Sequence, residues 1–379
     1  MMNILLVSQM DLRSTTGVAT YYRALKLELE AAGHYAEVIT PEHTPKWVSF
    51  LLKLVRRSRI VFRSDYAALY ISELVYFVSV YFAVRKVRKK KAWDVIHGQD
   101  PSSSCAARYA VRGKIPVLTT CHYNDTPVEE RRLKYKLSVK QLDKVTNWFR
   151  FLFSRLDSLI FVSEYIHDKS VYLLPQGVKY QVIPNGVRFY GKTELIGKPE
   201  CFTIVNTGTL EDRKNQVLLI EAAVRLKAKG QPFRISFLGE GPARNRLEQT
   251  VKEKGLQDHI EFKGHVSGIL DLYRKADLYV HTSLNESWGL CVTEAFSVGL
   301  PVLALANGGI PEQFPPSRDG LLNPSTNAEE LAAQIEICYN FDIRKQLQEA
   351  QYAYASARFS SDHMLKETMK CYQEMAIKS

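Results

Sequence analysis

The chain has 379 residues, 46% of them hydrophobic and 24% charged, which fits two globular domains and excludes a disordered, collagen-like or polytopic membrane chain. The net charge of +11 is uneven: residues 1–185 hold 28 Lys/Arg against 16 Asp/Glu, and residues 186–355 hold 19 against 21. The first half is therefore the one expected to face something anionic, nucleic acid or the charged leaflet of a membrane. Residues 3–8 read as a first strand and not as a signal peptide, because the apolar run lacks a basic flank and a cleavage site. A polar loop carrying Gly17 follows, then an amphipathic helix from Ala19 to Ala32 stopped by Gly33, then a strand at 38–40. Strand, glycine-containing loop, helix and strand make a βαβ unit, which predicts a parallel sheet covered on both faces. Further strands are predicted at 95–97, 116–121, 159–163 and 180–184, and Pro184-Asn185-Gly186 marks a domain boundary. The alternation restarts with strands at 202–206, 233–238, 260–263, 278–282 and 302–306. Helices at 215–229, 242–254, 268–274 and 290–298 alternate with them, and a helix from Ala328 leads into a long helical tail. Cys105, Cys121, Cys201, Cys291, Cys338 and Cys371 form no C-x-x-C pair, so neither a disulfide framework nor a zinc site is expected and a reducing cytoplasm is favoured.

Two segments of the first half are unusual. Residues 66–84 are apolar except for Glu73 and two serines, and seven residues from Arg85 to Lys91 follow, six of them basic. A membrane-spanning helix has this pattern, but the marginal length, the central Glu73 and the strand that follows favour a buried or interfacial helix. The second segment, 129–155, interleaves eight Lys/Arg with Tyr135, Trp148, Phe149, Phe151 and Phe153. Such a mixture suits a membrane interface, with a solvated basic face over an ordinary core as the alternative. No nucleic-acid motif accompanies the charge, so nucleic acid is not expected as a partner.

The stretch that carries chemistry runs from Asn285 to Ala295, where Glu286 and Glu294 are separated by seven residues around Gly289-Leu290. A helix begins at Gly289 and ends with Gly299 as its C-cap and Pro301 beyond. Its free N–H groups suit an anion, a diphosphate above all, and a glycine lets the backbone come close. Glu294 is placed to accept hydrogen bonds from sugar hydroxyls, with a glutamate favoured by the helix dipole as the alternative. His122 follows a strand and precedes a loop, and His97 ends another parallel strand, on the edge where such sheets bind ligands; for each the alternative is a structural histidine.

The Glu286-x7-Glu294 pattern resembles the signature of the retaining GT-B glycosyltransferases of family four. The resemblance extends over the whole chain. It includes Gly17, Thr119-Thr120-Cys121-His122, Pro184-Asn185-Gly186-Val187, Gly208-Thr209-Leu210 with Lys214, and Gly308-Gly309-Ile310-Pro311-Glu312. It implies an α/β chain of GT-B fold, with two Rossmann-like doubly wound domains facing a central cleft. Residues 1–185 would bind the acceptor, with a terminal helix 360–379 packed back onto them, and residues 186–359 would bind the nucleotide sugar. By the same resemblance Glu294 holds the donor ribose, Glu286 contacts the transferred sugar, His122 lies near the reacting centre and Lys214 binds the diphosphate. Gly17, Gly289, Leu290 and Cys291 would border the donor, and His97 would touch the acceptor. One departure stands out: the family's diphosphate-binding arginine is replaced by Thr209, and Arg213 is the candidate to supply the missing charge.

These roles imply a transferase that moves a hexose with retention, from a UDP-sugar sooner than a GDP-sugar, to a saccharide or lipid-linked acceptor in cell-surface polysaccharide assembly. The enzyme would need no cofactor and no metal and would work in the cytoplasm, peripherally on the inner leaflet. In such a front-face transfer the leaving diphosphate takes the acceptor proton, and the protein stabilises the leaving group and positions both partners. The alternatives are a GT-B sugar-nucleotide epimerase or hydrolase, or a non-catalytic membrane-associated scaffold.

Overall fold

A computed structural model describes residues 1–12, 14, 16–57 and 64–377. The chain divides into two compact units, one formed by Met1–Asn185 with Ser361–Ser379 and the other by Gly186–Ser360.

The first unit is built on six parallel strands: β1 (Asn3–Val7), β2 (Tyr35–Ile39), β3 (Val95–Gly98), β4 (Val117–Cys121), β5 (Ser158–Phe161) and β6 (Tyr180–Val182). They lie in the order β2-β1-β3-β4-β5-β6. Side chains alternate across a strand, so β1 serves two cores. Ile4 and Leu6 pack with Tyr22, Leu25 and Leu29 of helix Gly17–Ala31 and with Met364 and Tyr372 of helix Ser361–Ala376. Leu5 and Val7 pack on the other face against Val80, Ala83 and Val84 of helix Asp65–Val87. Each such buried aliphatic side chain contributes about 1.5–3 kcal/mol relative to exposure.

Helix Asp65–Val87 is long and apolar enough to cross a membrane, with a mean hydropathy of 1.7 over its most apolar window. One face lies in the core, a third of that window is buried, and Tyr70 and Leu74 remain as large exposed apolar side chains. The 129–155 segment forms two helices, Pro127–Lys134 and Val139–Phe153, the second started by Ser138 and Gln141 in a reciprocal cap. Helix Lys46–Arg57 was not foreseen in the sequence.

The second unit repeats the plan with β7 (Phe202–Thr207), β8 (Phe233–Leu238), β9 (Ile260–Gly264), β10 (Leu278–His281), β11 (Val302–Leu305) and β12 (Leu321–Leu322), in the order β12-β11-β10-β7-β8-β9. All its pairings are parallel. The strand order reverses between β7 and β10. In the first unit it reverses between β1 and β3. Loops leaving the carboxyl ends of strands diverge at such points and open a crevice for ligands.

Candidate active site

In the second unit the loops that leave β7 and β10 meet at the reversal. After β7 the chain turns at Gly208, runs through Thr209, and forms a short 3-10 turn at Asp212–Lys214 that ends on Asn215 at φ 51°. A Cβ on Gly239 would lie 2.1 Å from the Gly208 carbonyl oxygen, so this loop depends on a glycine opposite it. β10 ends on His281, and Thr282 and Ser283 follow. The two loops are tied together: Leu284 N–H donates to the Arg213 carbonyl at 2.8 Å, and the Thr282 hydroxyl donates to the Lys214 carbonyl at 2.8 Å.

Glu286 is buried at the centre. Lys214 donates to its Oε1, Arg213 Nη1 lies 3.5 Å from its Oε2, the Ser283 hydroxyl donates to Oε1 at 2.9 Å, and His281 Nε2 stands 3.5 Å away. Burial alone would raise this carboxyl, but Lys214, His281 and Arg213 outweigh it and hold it well below its usual range. Burial pushes the His281 imidazole down, against the upward pull of Glu286. The tie between the loops is what lets two successive residues, Arg213 and Lys214, reach one carboxylate from two sides. Arg213 is also held by Glu211 at 2.7 Å and by the Asn285 carbonyl at 2.8 Å. Thr209 is exposed, and its carbonyl accepts from Gln216 at 3.0 Å.

Gly289 precedes helix Leu290–Ser297 at φ 78°, and a Cβ there would lie 2.7 Å from Ile310. Leu290 and Cys291 form the first helical turn, where N–H groups have no partner within the helix. Burial pushes the Cys291 thiol up to about 12, so it stays protonated. Glu294 lies one turn further on. Its carboxylate has no hydrogen bond and no ion pair among the described residues, and burial pushes it up to about 7.

In the first unit the reversal joins the loops after β1 and β3, where Gln9 donates to Asp100 at 2.6 Å. Gly17 opens helix Gly17–Ala31 and so does not stand in the preceding loop as the sequence suggested; Thr16 caps that helix. His122 follows β4. Gln99 donates to the His97 carbonyl at 3.4 Å, which turns its amide oxygen toward His122 Nε2 at 3.1 Å. His122 therefore carries its proton on Nε2, and Nδ1 is left as a hydrogen-bond acceptor without a partner among the described residues. Burial pushes its imidazole down to about 3, so it is neutral, and the Tyr21 ring packs edge-on at 4.5 Å.

His97 does not fit its expected role. It has no exposed surface, and its ring nitrogens are taken by Tyr372 and Thr120, each at 2.7 Å. A histidine with both nitrogens engaged in the core positions strands and helix; it has no edge left for an acceptor.

The matches to known proteins show the family of this chain. Residues 15–189 match the family described as Glycosyltransferase Family 4, and residues 195–355 match that described as Glycosyl transferases group 1. The chain is a GT-B glycosyltransferase of family four. Among relatives of this glycosyltransferase, EpsD of Bacillus subtilis, which carries a glycosyltransferase name, is 27% identical over 318 residues, 78% of this chain and 80% of that one. Alpha-monoglucosyldiacylglycerol synthase of Acholeplasma laidlawii is 27% identical over 336 residues, 80% of each chain. Anabaena HepE, solved in complex with UDP-glucose, superposes with a TM-score of 0.72 at 19% identity, covering 99% of this chain and 100% of that one.

The sequence reading of this glycosyltransferase overlooked His281, Ser283 and Gln99. The signal that drew attention to His97, a histidine ending a parallel strand, applies equally to His281 at the end of β10. Ser283 and Gln99 gave no signal, since their roles depend on loops meeting in space. The sequence also suggested no cluster of metal-ligand side chains. Glu164, His167 and Asp168 do bring such atoms within 4.8 Å of one another on helix Glu164–Ser170, in the first unit, with both carboxylates exposed.

Proposed function

We propose that this glycosyltransferase moves a hexose, with retention of anomeric configuration, from a UDP-sugar to a saccharide or lipid-linked acceptor of cell-surface polysaccharide assembly, at an anionic membrane surface on its cytoplasmic side. One observation carries the donor half of this reading: Lys214 and Arg213 converge on Glu286 beside the start of helix Leu290–Ser297, with the unpartnered Glu294 one turn in. A diphosphate bound there meets two cations and free helical N–H groups, and a ribose meets a carboxylate that needs donors. Arg213 supplies the charge that Thr209 lacks. The UDP-glucose complex of HepE favours uridine as the base.

The leaving diphosphate gains charge as the glycosidic bond breaks, and Lys214 with Arg213 stabilises that charge in a site already arranged for it. Glu286, ionised and held by Ser283, orients Lys214 and accepts from hydroxyls of the transferred sugar. The Nδ1 of neutral His122 accepts from a further sugar hydroxyl near the reacting carbon. No protein nucleophile is required, because the departing phosphate oxygen takes the acceptor proton. The scheme uses neither a metal nor a cofactor.

The acceptor half rests on the first unit. Helix Lys46–Arg57 exposes Trp47, Phe50, Leu51 and Leu54 and carries Lys46, Lys53, Arg56 and Arg57, a composition that lies in a membrane interface. The glycolipid synthase among the relatives supports a lipid acceptor. The test is a panel of UDP- and GDP-sugars scored for protection against thermal unfolding, followed by turnover with lipid-linked acceptors and NMR assignment of the product anomer. Inversion, or hydrolysis that ignores every acceptor, refutes the reading.

A further inference from the structure

Helices Asp65–Val87 and Val139–Phe153 of the first unit leave between them a groove of about 590 Å³. Tyr66, Tyr70, Leu74 and Phe77 form one wall, and Trp148 and Phe151 the other. Phe77 and Trp148 meet at 6.3 Å between ring centres, and Trp148 stacks on Phe151 at 5.7 Å. The floor is made of Leu69, Val145 and Phe149, which belong to the same buried cluster as Cys121 and Tyr123 on either side of His122. The size is that of a small-ligand pocket, but the lining is almost wholly apolar.

The charges around the groove are asymmetric. Its one acid, Glu73, is turned away into the protein, where Arg131 pairs with it at 2.7 Å and Ser102 donates to it at 3.0 Å. Lys144, at the edge beside Tyr66, is exposed and makes no ion pair among the described residues; its ammonium lies 5.9 Å from the Tyr66 ring centre. The indole N–H of Trp148 has no hydrogen-bond partner among the described residues. An apolar groove with a cation at its edge that has no ion-pair partner among the described residues, and with a neutralised acid beneath, is complementary to an amphiphile with one hydrocarbon chain and an anionic head.

We propose that this groove holds the hydrocarbon chain of a phosphate-bearing lipid that carries the acceptor sugar, with the phosphate at Lys144. The proposal rests on the lipid-acceptor reading above and adds a place for the chain. An extended apolar chain has no backbone groups to satisfy, so it can lie in a lining that offers few polar partners.

The test is titration calorimetry of the full-length protein with hexyl, octyl and decyl phosphate below their micelle-forming concentrations. Each added methylene should strengthen binding about fourfold, so decyl should exceed octyl about fifteenfold. Leu74→Asp, at a half-exposed wall position where the core is untouched, should weaken decyl phosphate at least tenfold. Lys144→Glu should abolish the preference for decyl phosphate over decyltrimethylammonium. Far-UV circular dichroism and the UDP-induced thermal shift should stay as in the parent protein for both variants. Affinity that ignores chain length, or that survives Leu74→Asp, overturns the proposal. So does sedimentation showing that Leu74→Asp instead separates a dimer. Decyl phosphate that binds but does not compete with a lipid-linked acceptor in turnover also overturns it, while leaving the acceptor reading intact. Absence of turnover with every lipid-linked acceptor, alongside efficient transfer to a soluble sugar, overturns the acceptor reading itself.

Discussion

Replacing Glu294 with glutamine should make the free protein more stable and the nucleotide complex weaker. The carboxyl is pushed by burial from 4.5 to about 7 and has no compensating partner. A raised carboxyl binds its proton more tightly in the folded state, so its favourable contribution is complete below pH 4.5 and is lost as pH rises toward 7. A shift of this size corresponds to about 3 kcal/mol of burial penalty once the group is fully ionised. Between pH 6 and pH 8 the penalty grows by about 1 kcal/mol. Urea unfolding of both proteins should therefore show Glu294→Gln gaining stability over the parent, by a margin about 1 kcal/mol larger at pH 8 than at pH 6. Calorimetric titration with UDP should show the opposite order. The variant loses about 1.5–3 kcal/mol because the ribose no longer meets a charged acceptor. The parent's own affinity should fall below pH 7 as the carboxyl protonates, while that of the variant stays flat. A stability gap independent of pH would refute the burial argument, and unchanged UDP affinity would remove Glu294 from the ribose.

Lys214→Ala should cut kcat by about 10²–10³ with a smaller change in KM, because leaving-group charge grows toward the transition state; a kinetically silent variant would place the diphosphate elsewhere. Thr209→Arg should preserve turnover or raise it, measured at saturating donor. Glu286→Gln leaves Lys214 and Arg213 without their shared counter-ion and should cost about 3 kcal/mol in urea unfolding. The depressed carboxyl contributes above pH 4.5, so that gap should close as pH falls below it. Lys89, Lys90 and Lys91 changed together to Glu should weaken binding to vesicles of anionic lipid at low salt, since each basic residue near such a surface contributes about 1 kcal/mol. Vesicle binding that persists in molar salt would instead indicate apolar insertion.

The strand and helix alternation was legible because both sheets are parallel and buried on both faces, so each strand reads as a short apolar run bounded by polar loops. The break after Asn185 was legible because proline and glycine flank it. The pairing of Arg213 with Lys214 on one carboxylate was not. It depends on a 3-10 turn ending in a left-handed asparagine and on a hydrogen bond from Leu284, neither of which has a local sequence signature. His97 misled for a related reason. Its position at a strand end is that of a ligand-binding histidine, but Tyr372, 275 residues away in the sequence, occupies one ring nitrogen. Helix Lys46–Arg57 escaped notice although its apolar and basic residues alternate with a helical period, and Val48 is its one buried residue among those described.

The return of helix Ser361–Ala376 to the first unit also bears on how the protein is made. The second unit is one continuous stretch, 186–360, and it can close its sheet as soon as that stretch has left the ribosome. The first unit, though begun earlier, has to wait: Met364, Cys371 and Tyr372 complete the core around Ile4, Leu6 and Leu25 only after the whole of 186–360 has been made. During that interval the apolar face of helix Gly17–Ala31 that will meet them stays uncovered. Of the two units, the one begun first is then the one completed last.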